Sequence, residues 1–183
     1  MSQEPFNPPV SPEGLPALED VPLTPVSPRF APYRVLGTML FWMPLAVAVV
    51  LLPVGPELPW PVRAALGGAV LLVGVGVAVL AAIEARRRAF GLRREDVIYS
   101  SGLLVRRTTI LPVCRIQHVE TVSGPLERLF GLVRLTCFTA GGSSADLVMA
   151  GLRSETADRL RQHLLHRIRE GSTADGPPTD DNP

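Results

Sequence analysis

No charged residue separates Arg34 from Glu57, and between them lies VLGTMLFWMPLAVAVVLL, Val35 to Leu52. A second stretch, AALGGAVLLVGVGVAVLAAI from Ala64 to Ile83, is bounded by Arg63 and Glu84. A helix needs roughly 20 apolar residues to cross about 30 Å of hydrocarbon, and each block meets that length. The helices of a soluble core keep a polar face; neither block has one. The pattern predicts two transmembrane helices, over 35–54 and 64–83, with a short loop at 55–63. Pro44 falls mid-span in the first and predicts a kink, because it removes a backbone hydrogen bond. A cleaved signal peptide would be the other reading of the first block, but the leader before it is Pro-rich and acidic rather than short and basic.

After residue 89 the pattern shortens to β-like runs. DVIYS and LLVRRTTIL flank Ser101–Gly102, which reads as a hairpin turn. HVETV is a further run. VRLTCFT places Val133, Leu135 and Cys137 on one face, the period of a half-buried strand. TAGGSSAD is a loop and DLVMA the next strand. Ile116 and Val119 are three apart, which breaks alternation and predicts a bulge. SETADRLRQHLLHRI then opens at Ser154 and sets Ala157, Leu160, Leu164 and Ile168 on one face of an amphipathic helix. The fold class is a membrane α hairpin of two transmembrane helices plus an α+β cytoplasmic domain.

Both ends of the chain read differently. Residues 1–32 hold nine prolines and few residues able to form a core. Such a segment cannot offset its ordering entropy and is expected to be disordered. The polar, acidic stretch 170–183 carries the same expectation. Within the second apolar block Gly68, Gly74, Ala78 and Ala82 form a candidate helix-packing face, since small residues let backbones approach closely.

Charge adds orientation. All 18 basic residues are arginine. Arg29 and Arg34 precede the first span, and Arg86, Arg87, Arg88, Arg93 and Arg94 follow the second, while the connecting loop is nearly neutral. Both termini and the domain are therefore expected on the cytoplasmic side of a bacterial inner membrane, with Trp60 and Tyr33 at headgroup level. The five arginines after the second span are candidate contacts for anionic lipid. Cys114 and Cys137, with no CxxC spacing and only three histidines, argue against a zinc site. No cofactor, metal or small-molecule substrate is expected. Aromatic residues at 5 % give no basic aromatic face for nucleic acid.

The stretch RIQHVETVSGPLERLFGLVRLTCFTAGG, from Arg115, holds the remaining candidate chemistry. His118 and Glu120 share one side of a strand, but no nucleophile or orienting group is marked nearby; a solvated strand face is expected. Arg115 could pair with Glu120 or Glu127, or meet backbone carbonyls. Leu126, Leu129 and Phe130 are expected to plug one end of the domain. Arg128 is read as structural, with a phosphate or a partner carboxylate as the other option.

The matching positions are Arg115-Ile116-Gln117, Val119, Gly124-Pro125-Leu126, Arg128, Gly131-Leu132, Thr139-Ala140-Gly141-Gly142 and Gly151-Leu152. On these, residues 85–168 with the preceding helix pair resemble the bacterial pleckstrin-homology-like (PH-like) domain of YdbS-type membrane proteins. The resemblance implies a curved antiparallel β-barrel or sandwich capped by one C-terminal helix. It makes Arg115, Gln117, Gly124, Pro125, Arg128 and Gly131 structural motif residues. It implies no catalysis, membrane lipids and a larger membrane protein with several PH-like domains as partners, and a role in envelope or antimicrobial-peptide defence. A lipid-sensing module is the competing expectation. The start of the first strand is not legible in RRAFGLRRE.

Overall fold

The computed structural model describes residues 23–52, 58–93, 95–139 and 147–174, with side chains to residue 169. The expected disorder at 1–22 and 175–183 lies outside the described residues, as do parts of the loops at 53–57 and 140–146. The described elements, in chain order, are β1 (Thr24–Pro25), α1 (Phe30–Leu51), α2 (Trp60–Arg87), β2 (Ala89–Leu92), β3 (Asp96–Ser101), β4 (Arg107–Pro112), β5 (Ile116–Val122), α3 (Pro125–Leu129), β6 (Leu132–Thr139), β7 (Leu147–Arg153) and α4 (Ser154–Ala174). One 3-10 turn, Val113–Arg115, links β4 to β5.

Helices α1 and α2 are long and apolar enough to cross a membrane, and most of each span is not buried inside the protein. Leu40, Phe41, Met43 and Leu72 point outward, as lipid-facing side chains do. A signal peptide would be dispensable to the core. Here α1 instead begins inside it, with Phe30 and Ala31 buried among domain residues. The chain forms a membrane hairpin carrying a PH-like domain.

Small residues seat one helix against the other, on a face that shares Gly74 and Ala78 with the expected stripe. Gly67, Gly74, Ala78 and Ala85 are buried. A Cβ on Gly74 would stand 2.6 Å from Trp42 Cβ, and one on Gly67 would collide with Val50, whereas Gly68 has nothing within 4 Å. At about 100° per residue, the 67–74–78–85 series stays on one line and Gly68 lies a quarter-turn away. Gly74 and Ala78 belong to the packing face, Ala82 is half-buried beside it, and Gly68 does not belong to it.

The strands form two antiparallel sheets, β1-β2-β3-β4 and β5-β6-β7. The register shifts between Ile116 and His118, where the broken alternation predicted a bulge, and again between Val133 and Leu135. Leu135 and Cys137 are accordingly fully buried, while Val133 is only half-buried. Helix α4 lays Ala157, Leu160 and Leu164 on the core, and its regular structure continues to Ala174, beyond the end expected at residue 168. The expected PH-like sheets and capping helix are thus present.

Two local expectations change. The β3–β4 connection is not a two-residue turn at Ser101–Gly102. Ser101 pairs with Arg107, so residues 102–106 all belong to the loop, opened by Gly102 at φ +106°. The β-propensity of Leu103–Val105 was overridden because these side chains find no sheet face to pack on. Residues 23–32 are structured rather than part of a disordered tail. Val26, Phe30 and Ala31 anchor them, and Pro25 is tolerated because β1 is an edge strand.

Candidate functional site

The N-terminal segment first crosses the end of β2. Thr24 pairs with Phe90 and Pro25 with Ala89, and Val26 N–H donates to Arg88 C=O at 3.1 Å. One residue later Ser27 N–H donates to Gly151 C=O at 2.9 Å. Gly151 is in β7 of the other sheet, so four residues stitch the two sheets together at the point where α1 departs. Phe30 N–H then donates to Ser27 C=O at 2.9 Å, opening the helix.

Arg88 closes the same junction from the α2 side. Its Nε donates to Glu84 Oε1 at 2.6 Å, an i,i+4 pair at the helix end. Its Nη1 donates to Tyr99 Oη at 3.3 Å, and its guanidinium lies 5.3 Å from the centre of the Phe30 ring, within cation–π range. Tyr99 Oη in turn donates to Ala150 C=O at 3.2 Å and accepts from Ala150 N–H at 3.3 Å. Burial alone would pull the Arg88 pKa down. The hydrogen bond to Glu84 and the interactions with Tyr99 outweigh that, so it stands above its ordinary value and the cation is fixed. Phe30 continues the chain of contacts by stacking on Tyr33, and Tyr33 meets Phe130 edge-on.

The SGPLERLFGL stretch meets this junction, with Phe130 packed against the core as expected and Leu129 left exposed. A Cβ added to Gly37 of α1 would stand 3.8 Å from Leu126 Cδ2, and Phe130 packs on Tyr33. Pro125 occupies the first turn of α3, where a missing N–H is harmless. Gly131 has φ +64°, and a Cβ there would lie 3.4 Å from Arg29 Nη1. Glu127 is buried at 4 % exposure. It accepts from Gly124 N–H at 2.8 Å and from Arg134 Nη2 at 2.9 Å. The partner of Glu127 is therefore Arg134 and not Arg115, which is exposed at the end of the 3-10 turn, with Gln117 exposed beside it and Arg128 exposed on α3.

His118 and Glu120 are both exposed, with Nε2 and Oε1 4.0 Å apart. They make a solvent-exposed surface pair. Among the described residues no three His, Cys, Asp or Glu side chains gather as metal ligands. Burial pushes the Cys137 thiol up to about 11, while Cys114 is exposed.

Of the five candidate lipid-binding arginines, the structure separates one. Arg88 is spent on Glu84, Tyr99 and Phe30. Arg86, Arg87 and Arg93 are exposed, and Arg94 lies outside the described residues. Sequence reasoning missed the junction because its N-terminal half sat in a Pro-rich segment. Two signals pointed to it: the aromatic pair Phe30 and Tyr33 three apart, and Glu84 and Arg88 four apart, both at helix-neighbour spacing.

The bacterial PH domain family model matches residues 35–168, which takes in most of the hairpin and strands β2 to β7 but not β1. The chain is similar to the transmembrane protein YdbS of Bacillus subtilis, at 31 % identity over 104 residues, 56 % of this chain and 64 % of YdbS. It is similar also to the transmembrane protein YdbT of the same organism, at 32 % over 103 residues, 55 % of this chain but 21 % of YdbT. The match thus spans less than two thirds of the one relative and about a fifth of the other. No solved structure matches.

Proposed function

The chain belongs to the bacterial PH domain family, and from that premise we propose that it is a non-enzymatic integral membrane subunit that holds a PH-like domain rigidly against the bilayer for assembly with a larger membrane protein bearing several such domains. The observation that carries this reading is the junction. Both helices enter the domain core, and Arg88, Phe30, Ser27 and Gly151 tie them to both sheets, so the domain presents a fixed face rather than swinging on a linker. Likeness to a fifth of YdbT supports the existence of longer proteins built with the same module. The arginines flanking the outer ends of α1 and α2 support a cytoplasmic location for both termini and residence in the inner membrane.

Purification of the tagged native protein in mild detergents, with copurifying proteins identified by mass spectrometry, tests the assembly. Recovery of a larger membrane protein with several PH-like domains at near-equal amount is expected. Recovery of the chain alone across several gentle detergents refutes the complex. We propose envelope or antimicrobial-peptide defence as the setting of such a subunit, and peptide sensitivity of a strain lacking the gene tests it. A second reading, anionic-lipid sensing, is favoured by the exposure of Arg86, Arg87 and Arg93 beside the end of α2. It requires liposome binding that weakens steeply with salt.

A further inference from the structure

Leu104 is 97 % exposed and Val105 80 %, more than any lipid-facing side chain of either span among the described residues. Loop tips in water are built from Gly, Pro, Asn, Asp and Ser, and a run such as LLVRR is out of place there. Arg106 and Arg107, which follow directly, are exposed as well. The order is two apolar side chains at the apex and two cations behind them. It is the order in which a leaflet offers acyl chain and then phosphate.

The strand register brings this tip back to the end of α2. β2 starts directly after the end of α2, and β3 returns antiparallel to it, with Ser100 level with Ala89. Tyr99 is tied to Arg88 at the helix end. The loop apex lies three residues past Ser101, so it can stand up to about 10 Å from the level of the helix end at the rise of an extended chain. A second contact fixes the height of the domain independently. Leu126 Cδ2 of α3 lies 3.8 Å from where a Cβ on Gly37 would stand, and Gly37 is inside the uncharged run after Arg34. α3 therefore lies beside the start of α1, where Phe130 meets Tyr33 edge-on, and Leu129 of α3 is 76 % exposed.

We propose that the β3–β4 loop, Leu104–Val105 backed by Arg106 and Arg107, is a membrane-inserting finger that dips into the leaflet facing the domain, its arginines on anionic lipid phosphates. The finger would give the domain a bilayer contact independent of the hairpin and, with Leu129, would hold one face of the sheets down. The inference rests on the hairpin spanning a bilayer and not on the partner proposed above.

The test uses the full chain in nanodiscs of phosphatidylglycerol and phosphatidylethanolamine, one copy per disc. In a Cys114→Ser background, a spin label is placed at Leu104→Cys and, in a separate sample, at Glu95→Cys, an exposed position at the opposite end of β3. Leu104 is almost wholly exposed, so the label disturbs no packing. The expected result is that the label at 104 collides more often with dissolved oxygen and less often with a water-soluble nickel chelate than the label at 95. Free collision with the chelate at both positions overturns the proposal, because the tip is then in water. Loss of collisions with both oxygen and the chelate at 104 also overturns it, because protein rather than lipid then covers the tip. Either failure leaves the copurification result untouched, so the two readings fall separately.

Discussion

Replacing Gly151 by alanine strikes the junction at its narrowest point. Gly151 has φ +83°, a left-handed conformation that costs a residue with a Cβ roughly 1–2 kcal/mol. The added Cβ would stand 2.7, 2.9 and 3.0 Å from Cγ, Cδ1 and Cδ2 of Phe30. That ring is not a flexible end that can swing aside: it is 3 % exposed, stacked on Tyr33 and lying under Arg88. Overpacking of this kind costs about 1–3 kcal/mol, so Gly151→Ala is expected to destabilise the protein by about 2–5 kcal/mol. For a chain of this size each kcal/mol lowers Tm by roughly 2–4 °C, giving a fall of about 4–20 °C in the thermal stability of the detergent-solubilised protein. A double-mutant cycle separates the two causes. In a Phe30→Ala background the collision is gone, and Gly151→Ala should cost only the backbone part, about 1–2 kcal/mol. Equal cost in both backgrounds would refute the claim that Phe30 is clamped onto β7.

Three further outcomes are expected from the same thermal assay. Gly74→Leu collides with Trp42 and should destabilise the hairpin by about 1–3 kcal/mol, while Gly68→Leu, with open space around its Cβ, should change little; the reverse ranking would show the interhelical face to be wrong. Glu127→Gln keeps the shape but removes the charge from a 2.9 Å bond to Arg134. Because Arg134 is partly exposed the expected loss is modest, about 1–2 kcal/mol, and an unchanged Tm would mean the pair contributes nothing. Cys137 predicts a pH dependence. Its thiol keeps its proton in the folded state to about 11, whereas the ordinary value is 9.0, so between these the unfolded chain has lost a proton that the folded one retains. Stability should therefore be unaffected below about pH 9 and fall as pH rises toward 11, by about 1.4 kcal/mol per unit. Cys137→Ala should show a shallower fall over that window, and an equal slope would sink the assignment.

What the sequence disclosed and what it hid divide along physical lines. The spans were legible because crossing hydrocarbon demands an unbroken apolar length, which no folding partner needs to supply. Leu135, Cys137, Leu160 and Leu164 were legible because burial on one face imposes a period. The bulge after Ile116 showed as a break in that period. The junction was not legible, since its partners are held together by isolated residue pairs between segments far apart in the chain: Ser27 with Gly151, and Tyr99 with Ala150. Such contacts leave no periodicity. The Pro-rich run before α1 misled for a related reason, because three well-placed anchors, Val26, Phe30 and Ala31, suffice to order a segment when sheets already exist to receive them. Composition averages over those three residues and misses them. The β3–β4 loop failed in the opposite sense. Its residues carry strand propensity, yet Leu104 and Val105 lie outside every sheet and face outward. Side chains that obey neither the demands of a core nor those of a water-facing turn are the ones for which a third solvent, the bilayer, provides the missing explanation.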